Sequence, residues 1–265
     1  MSLAGPDILG RIAEAVRRRL ADEAPPADLE RRAREAASRR RSADGRSLRA
    51  ALEAPGVRVI AECKRRSPSQ GWLREPFDPV ALARAYEAGG ACAVSVVTER
   101  EFFAGDPEWV PRVRRAVRVP VLRKDFLLAP RQLWEASVLG ADAVLLIARA
   151  LPGAALAEML SLADELGLET LVEVHDADDL ERVLDGPAPI VGINARDLAS
   201  FAVDLDGAAR LAARVPGERV AVLESGIRSA VDVRRLAARG FRRFLIGTCL
   251  VAARDPQAAL REMLA

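Results

Sequence analysis

Lysine is the scarce cation of this chain. Of 40 Lys plus Arg in 265 residues only Lys64 and Lys124 are lysine, and Asn194 is the single asparagine. Where arginine serves everywhere else, a retained lysine marks a place that needs a compact ammonium whose proton can move, which a guanidinium does not provide. Lys64 closes the run Val57-Arg-Val-Ile-Ala-Glu-Cys-Lys64, a β-branched, apolar stretch that reads as a strand. Strand side chains alternate between faces, so Ile60, Glu62 and Lys64 share one. The same parity groups Lys124 with Leu122 and Glu173 with Leu171. Ammonium and carboxylate groups converging on one face give and take protons, which is what general acid–base catalysis requires. For Glu62 and Lys64 taken alone, a structural ion pair at a strand end is the plain alternative.

These residues need elements to hold them. From residue 57 onward strand-like stretches fall at 57–63, 91–97, 119–124, 141–147, 168–174, 188–193, 219–224 and 241–247. Helical periodicity fills 78–88, 107–117, 130–139, 152–166, 177–185, 205–214, 228–239 and 255–264. Gly90, Gly140 and Gly240 stand at helix-to-strand joints, where a left-handed cap ends a helix. Eight such units predict an α/β fold, a closed (β/α)8 TIM barrel over 51–265. An open doubly wound sheet competes, but no Gly-x-Gly-x-x-Gly follows the first strand.

In a barrel of this kind chemistry sits at the C-terminal ends of the strands. Those ends offer Glu62 and Lys64, Lys124 beside Asp125, Glu173, Asn194 with Arg196, and Glu224. Ser225-Gly226 and Gly247-Thr248 put small residues and hydroxyls where the loops after strands seven and eight bind phosphate, and Ser67 follows strand one. Ordinary turn chemistry accounts for either pair alone. Close cations would lower a lysine's pKa, making it a better donor near neutral pH.

Residues 1–50 read as a helical extension packed on the barrel, with helical stretches at 7–23, 27–45 and 47–53. The second carries Arg31, Arg32, Arg34, Arg39, Arg40 and Arg41. Interleaved glutamates and the lack of aromatic residues favour a solvated face over an RNA-binding module. A net charge of +2 gives no pull toward a polyanion or an acidic membrane. No apolar run reaches spanning length and no leader pattern opens the chain, so the expectation is a cytoplasmic protein with no nucleic-acid and no membrane partner. Cys63, Cys92 and Cys249 lie on or beside predicted strands and are expected as buried reduced thiols. No His or Cys cluster suits zinc, and carboxylates beside lysines are poor magnesium sites, so neither metal nor cofactor is expected. His175, the only histidine, lies past Glu173 at a predicted helix start and reads as a loop or supporting residue rather than part of a nucleophilic triad.

From residue 52 to the C-terminus the motifs resemble those of the indole-3-glycerol-phosphate synthase family. They stand here as Ile-Ala-Glu62-Cys-Lys64-Arg-Arg-Ser67-Pro-Ser, Val-Thr98-Glu-Arg-Glu-Phe-Phe103-Ala-Gly, Leu-Arg-Lys124-Asp-Phe126, Leu-Val-Glu173-Val, Gly192-Ile-Asn194-Ala-Arg196-Asp-Leu, Glu224-Ser225-Gly226-Ile and Leu-Ile-Gly247-Thr248. The helical extension also resembles the family's, where it helps cover the barrel mouth. The resemblance implies ring closure of 1-(2-carboxyphenylamino)-1-deoxyribulose 5-phosphate to indole-3-glycerol phosphate, with loss of carbon dioxide and water, in tryptophan biosynthesis. It implies Lys124 as general acid and Glu173 as base, with Lys64 on the substrate carboxylate and Glu62 and Asn194 orienting lysines and hydroxyls. Either lysine could protonate the departing hydroxyl. Arg196 would lie near the carboxylate side, Glu224 near a hydroxyl, and Phe103 and Phe126 would flank the anthranilate ring. Ser67, Ser225, Gly226, Gly247 and Thr248 would hold the phosphate. Thr248 and Ala195 depart from the family's usual residues, Thr248 keeping its hydroxyl and Ala195 falling on the face turned from the lumen. Another phosphosugar barrel, of the phosphoribosylanthranilate isomerase type, is the alternative. Monomer and homodimer both remain compatible with the sequence.

Overall fold

The computed structural model describes residues 8–42, 46–197 and 201–265. Asp7 and positions 43–45, at the ends of two predicted helices, lie outside the described residues. The strands are β1 (Arg58–Cys63), β2 (Ala93–Val97), β3 (Val121–Lys124), β4 (Ala143–Ile147), β5 (Glu169–Val174), β6 (Ile190–Asn194), β7 (Val220–Glu224) and β8 (Arg243–Ile246). Each pairs in parallel with its sequence neighbours and β8 returns to β1, closing an eight-stranded barrel. Most strands start two residues later than predicted. At β2 the reason is local: Gly90 takes φ +100° to end the preceding helix, and Ala91 and Cys92 are spent turning back to the sheet.

The alternation forced by the strand makes two layers. Val59, Ala61, Val94, Val144, Val172 and Val191 face the outer helices. Ile60, Leu122, Leu145, Leu171, Val222 and Leu245 fill the lower lumen. Full burial of such a side chain is worth about 1.5–3 kcal/mol, so this plug fixes the height at which the barrel can become polar.

The helices preceding the barrel close it at both ends. Helix α1 (Ile8–Asp22) packs Ile8, Ile12 and Val16 against Phe102, Phe103 and Phe126 beyond the C-terminal ends of β2 and β3. Helix α3 (Leu48–Glu53) seals the other end, where Leu48 and Leu52 join the lumen plug. Ser47 Oγ donates to Glu169 Oε1 at 2.7 Å and Arg243 Nε donates to the Leu52 carbonyl at 3.0 Å, so starts of β5 and β8 hold it in place. Helix α2 (Leu29–Ser42) lies on the barrel's flank, burying Ala33 and Ala37. Its arginines divide by face. Arg31 and Arg34 pair with Asp28, Glu35 and Glu30 along the solvent side, while Arg40 donates to the carbonyls of Leu166 and Ser137.

Three pieces go beyond the predicted alternation. A 3-10 turn (Ala148–Ala150) follows β4, and the loop after β1 folds into a small hairpin of Arg66–Ser67 against Gly71–Trp72. The residues after β8 form a short helix, Thr248–Ala252, instead of continuing as strand or loop. Cys249 therefore corrects an expectation. It is only partly buried and lines the cleft, unlike Cys63 and Cys92, which are fully buried.

Candidate active site

A cleft of about 500 Å³ opens at the C-terminal ends of the strands. Its floor is polar because the lumen-facing positions one step above the apolar plug are Glu62, Lys124, Glu173, Asn194 and Glu224. Lys124 Nζ stands between two carboxylates, 3.2 Å from Glu173 Oε2 and 3.4 Å from Glu224 Oε2. Asn194 Nδ2 donates to Glu173 Oε1 at 3.2 Å, and Lys64 Nζ donates to Glu62 Oε1 at 2.5 Å. All three carboxylates are buried. The geometry thus joins Lys124, Glu173, Asn194 and Glu224 in one network, with the Lys64–Glu62 pair beside it.

Charge balance decides the protonation of this group. Three buried carboxyls face two ammonium groups, so one carboxyl is left without a full counter-charge. Burial opposes ionisation of Glu173, but Lys124 first, then His175 and the Asn194 bond, overcome it and hold the pKa down at about 2. Burial also dominates at Glu224, and there Lys124 is offset by Glu173 and Glu62, so its pKa is pushed up to about 8. Glu224 Oε1 has no hydrogen-bond partner. Glu173 gives up its proton first, and Glu224 keeps one. Glu62 is held below the ordinary carboxylate range despite burial, through Lys64 and Lys124.

Lys124 departs from the sequence expectation. Its pKa rises above the ordinary lysine value: burial pulls it down, but Glu173, Glu224 and Glu62 together outweigh burial. The neighbours that matter are carboxylates, not the other lysine, and sequence parity could not tell which of them comes within bonding distance. Lys124 consequently carries its proton at neutral pH.

Gly192 makes the Glu224 position possible. It pairs with Glu173 and Val222 across the sheet, and a Cβ there would collide with Glu224 Oε1. The adjoining part of the cleft is built from backbone. Ser225 and Gly226 both adopt left-handed conformations, φ +65° and +78°, a strained choice for serine. Side chains of Val203 and Leu205 crowd the space a Cβ on Gly226 would need. This curl lies beside Gly247 and Thr248, where the short helix Thr248–Ala252 begins, and Ser67 lines the cleft next to them. The four loop residues predicted to bind phosphate and Ser67 therefore share one cleft with the lysines.

The Phe103 and Phe126 rings are 6.2 Å apart and tilted by 36°, in contact range of each other, and both line the cleft. Arg196 lines the cleft, but its Nη1 donates to the Phe201 carbonyl at 3.2 Å, and its backbone N–H donates to Asn194 Oδ1 at 3.0 Å. Ala195 is buried among the outer-layer residues, as its parity required.

Sequence reasoning missed the parts that support this site from behind. Glu99 is buried and accepts backbone N–H groups of Glu101, Phe102 and Phe103, which shapes the loop carrying the phenylalanine wall. Arg123, fully buried behind Lys124, donates to Asp125 Oδ2 at 3.2 Å and to the Gln132 carbonyl at 3.0 Å. An arginine at an outward strand position was the available signal for the second. Ile8, Leu9 and Ile12 of α1 also line the cleft. Among the described residues no group of three or more His, Cys, Asp or Glu has metal-holding geometry.

The family profile for indole-3-glycerol phosphate synthase matches residues 8–263. The indole-3-glycerol phosphate synthase of Rhodopirellula baltica is 49% identical over 209 residues, covering 79% of this chain and 81% of its own length. Indole-3-glycerol phosphate synthase 1 of Streptomyces coelicolor is 43% identical over 258 residues, with 97% of this chain and 95% of its own covered. Among solved structures, thiamine phosphate pyrophosphorylase from Pyrococcus furiosus superposes with a TM-score of 0.60 at 18% identity, covering 82% of this chain and 96% of its own. Tryptophan synthase subunit alpha from Legionella pneumophila gives 0.58 at 12%, covering 88% and 96%. These two share the barrel and speak to fold alone. With a profile match that includes both the helical extension and every strand end of the cleft, the chain belongs to the indole-3-glycerol phosphate synthase family.

Proposed function

We propose that Lys124 is the general acid and Glu173 the general base of the decarboxylating ring closure that this family carries out. The observation behind this reading is the position of the Lys124 ammonium, in contact with both Glu173 and Glu224 on the floor of a cleft that also holds a backbone cradle suited to phosphate. The first step joins the ring carbon bearing the carboxylate to the ribulose carbonyl carbon, and Lys124 protonates the carbonyl oxygen. Carbon dioxide then leaves, returning its electron pair to the ring. In the last step Glu173 takes a proton from the carbon next to nitrogen while the hydroxyl, protonated by one of the two lysines, departs as water. Two protons are delivered and one removed, so each turnover draws one proton from solvent.

Lys64 holds the substrate carboxylate, with Arg196 on the same side. Glu62 orients Lys64, and Asn194 orients Glu173. Glu224 keeps its proton at neutral pH and offers it to a substrate hydroxyl. Ser67, Ser225, Gly226, Gly247 and Thr248 surround the phosphate, while Phe103 and Phe126 supply an apolar wall for the anthranilate ring. Residues 1–50 act as an extension that roofs the cleft through α1 and floors the barrel through α3. A charged phosphosugar substrate, which does not cross membranes unaided, supports action in the cytoplasm.

The test is turnover of the carboxyphenylamino deoxyribulose phosphate by purified protein, with no metal or nucleotide added, followed by indole emission and carbon dioxide release. Lys124→Arg is the informative variant, because it keeps the charge and loses the transferable proton. Indole formation at a near-wild-type rate by that variant would refute the acid assignment.

A further inference from the structure

A second cavity, of about 540 Å³, lies beside the catalytic cleft behind the loops that follow β5 and β6, and Asn194 and Arg196 line both. His175 stands in its wall. The imidazole is 4% exposed, and its Nε2 is 3.3 Å from Glu173 Oε1. The two atoms are close but out of hydrogen-bonding alignment, and neither ring nitrogen has a hydrogen-bond partner. A buried donor left idle costs about as much as a lost hydrogen bond, so an imidazole that only filled this space would be worse than a leucine.

The other side of the ring does not explain it. Nδ1 is 3.9 Å from Asp179 Oδ2, beyond bonding distance. That oxygen already accepts from Arg149 Nε at 2.9 Å and from the His175 backbone N–H at 3.2 Å. Glu173, in contrast, has a partner it stands to lose. Lys124 holds Oε2 through a charge-assisted bond while it is an ammonium, and that charge is lost when it becomes a neutral amine on passing its proton to the substrate.

We infer that His175 is the positioning residue of Glu173: a neutral imidazole protonated at Nε2 takes hold of Oε1 once Lys124 has discharged, and keeps the base aimed through the final step. The inference rests on Glu173 being the base. The charged groups facing the ring are Glu173 from β5, Asp179 from the helix after it, Arg149 from the turn after β4 and Lys124 from β3. Burial lowers the His175 pKa below the ordinary 6.5; Glu173 and Asp179 oppose this, while Arg149 and Lys124 reinforce it, so the ring is neutral at pH 7.

Because the chain has one histidine, tag-free protein labelled with nitrogen-15 histidine gives a single imidazole spectrum that needs no assignment. The expected spectrum at pH 7 is that of the neutral ring with its proton on Nε2. Kinetics provide the second measurement. His175→Leu should lower kcat roughly tenfold, one hydrogen bond to a charged group, with KM little changed. It should also move the acid limb of the kcat profile to higher pH, since a carboxylate deprived of a donor is a stronger base. His175→Gln, whose amide nitrogen reaches the Nε2 position, should restore most of the rate and the limb. A ring protonated on Nδ1 or charged at pH 7 overturns the inference. So does His175→Leu with unchanged kcat and profile, or equal losses in both variants that follow Tm. Glu173→Gln separates the two readings: if it keeps turnover the base assignment falls, whereas its inactivity beside indifferent His175 variants sinks only the role of His175.

Discussion

The two halves of the proposed site, an acid–base group and a phosphate cradle, obtain their properties from different parts of the chain. The acid–base wall reaches inward from β1, β3, β5 and β7 with long side chains, and its properties come from mutual charge: Lys124 holds its proton because Glu173, Glu224 and Glu62 surround it. The cradle proposed to hold phosphate, after β7 and β8, is made of backbone curled at Ser225 and Gly226, and its properties come from φ angles and missing Cβ atoms. Damage to the first wall should therefore appear in kcat and in pH dependence. Damage to the second should appear in substrate affinity.

Removing the central charge breaks the comparison most sharply. Lys124→Met should lower kcat by about 10²–10⁴-fold through loss of the acid. It also leaves Glu173 and Glu224 buried together without their cation, which should cost roughly 3 kcal/mol in urea denaturation at pH 7. If stability held, the network would be looser than the 3.2 and 3.4 Å contacts imply.

A cradle variant should behave in the opposite way. Gly226→Ala puts a Cβ on a residue at φ +78° and against Val203. We expect KM to rise about tenfold, from strain of the order of 1–3 kcal/mol, with kcat changed far less. A matching fall in kcat would mean the two walls are not separable.

The pH dependence of stability gives a smaller effect with a definite sign. Folded Glu224 keeps its proton up to about 8, against an ordinary 4.5. Between those values the folded state binds more protons than the unfolded one, so Glu224 makes stability fall as pH rises through that window. Glu173 does the reverse, adding stability above its ordinary 4.5 that is lost as pH falls toward about 2. Replacing Glu224 by Gln should shrink the loss of stability between pH 5 and pH 8 by roughly 1 kcal/mol or more. The denaturation midpoints of both proteins at the two pH values measure it. The smallest expected effect lies outside both walls: Arg31→Ala, on the ion-paired solvent face of α2, should leave Tm and turnover unchanged.

Much of the fold was legible because a strict period of two in the strands, joined to glycine-capped helices, admits few closed arrangements. Lys124 and Glu173 could be chosen from parity, since alternation sends them to the lumen, and Asn194 from its place at a strand end. The small hairpin after β1 and the helix Thr248–Ala252 were not legible. Each is too short to carry a periodic signal, and each depends on contacts with the finished barrel.

Residue types, their spacing and their parity determined by themselves that this chain forms a barrel with two lysines and several carboxyls at one mouth. Only the tertiary structure decided which carboxyl keeps its proton, that Lys124 is made a stronger holder of its own, and that His175 lies against Glu173 from behind. Those outcomes depend on distances between residues far apart in the chain and on how deeply each is buried. Neither quantity is written in any local stretch of sequence.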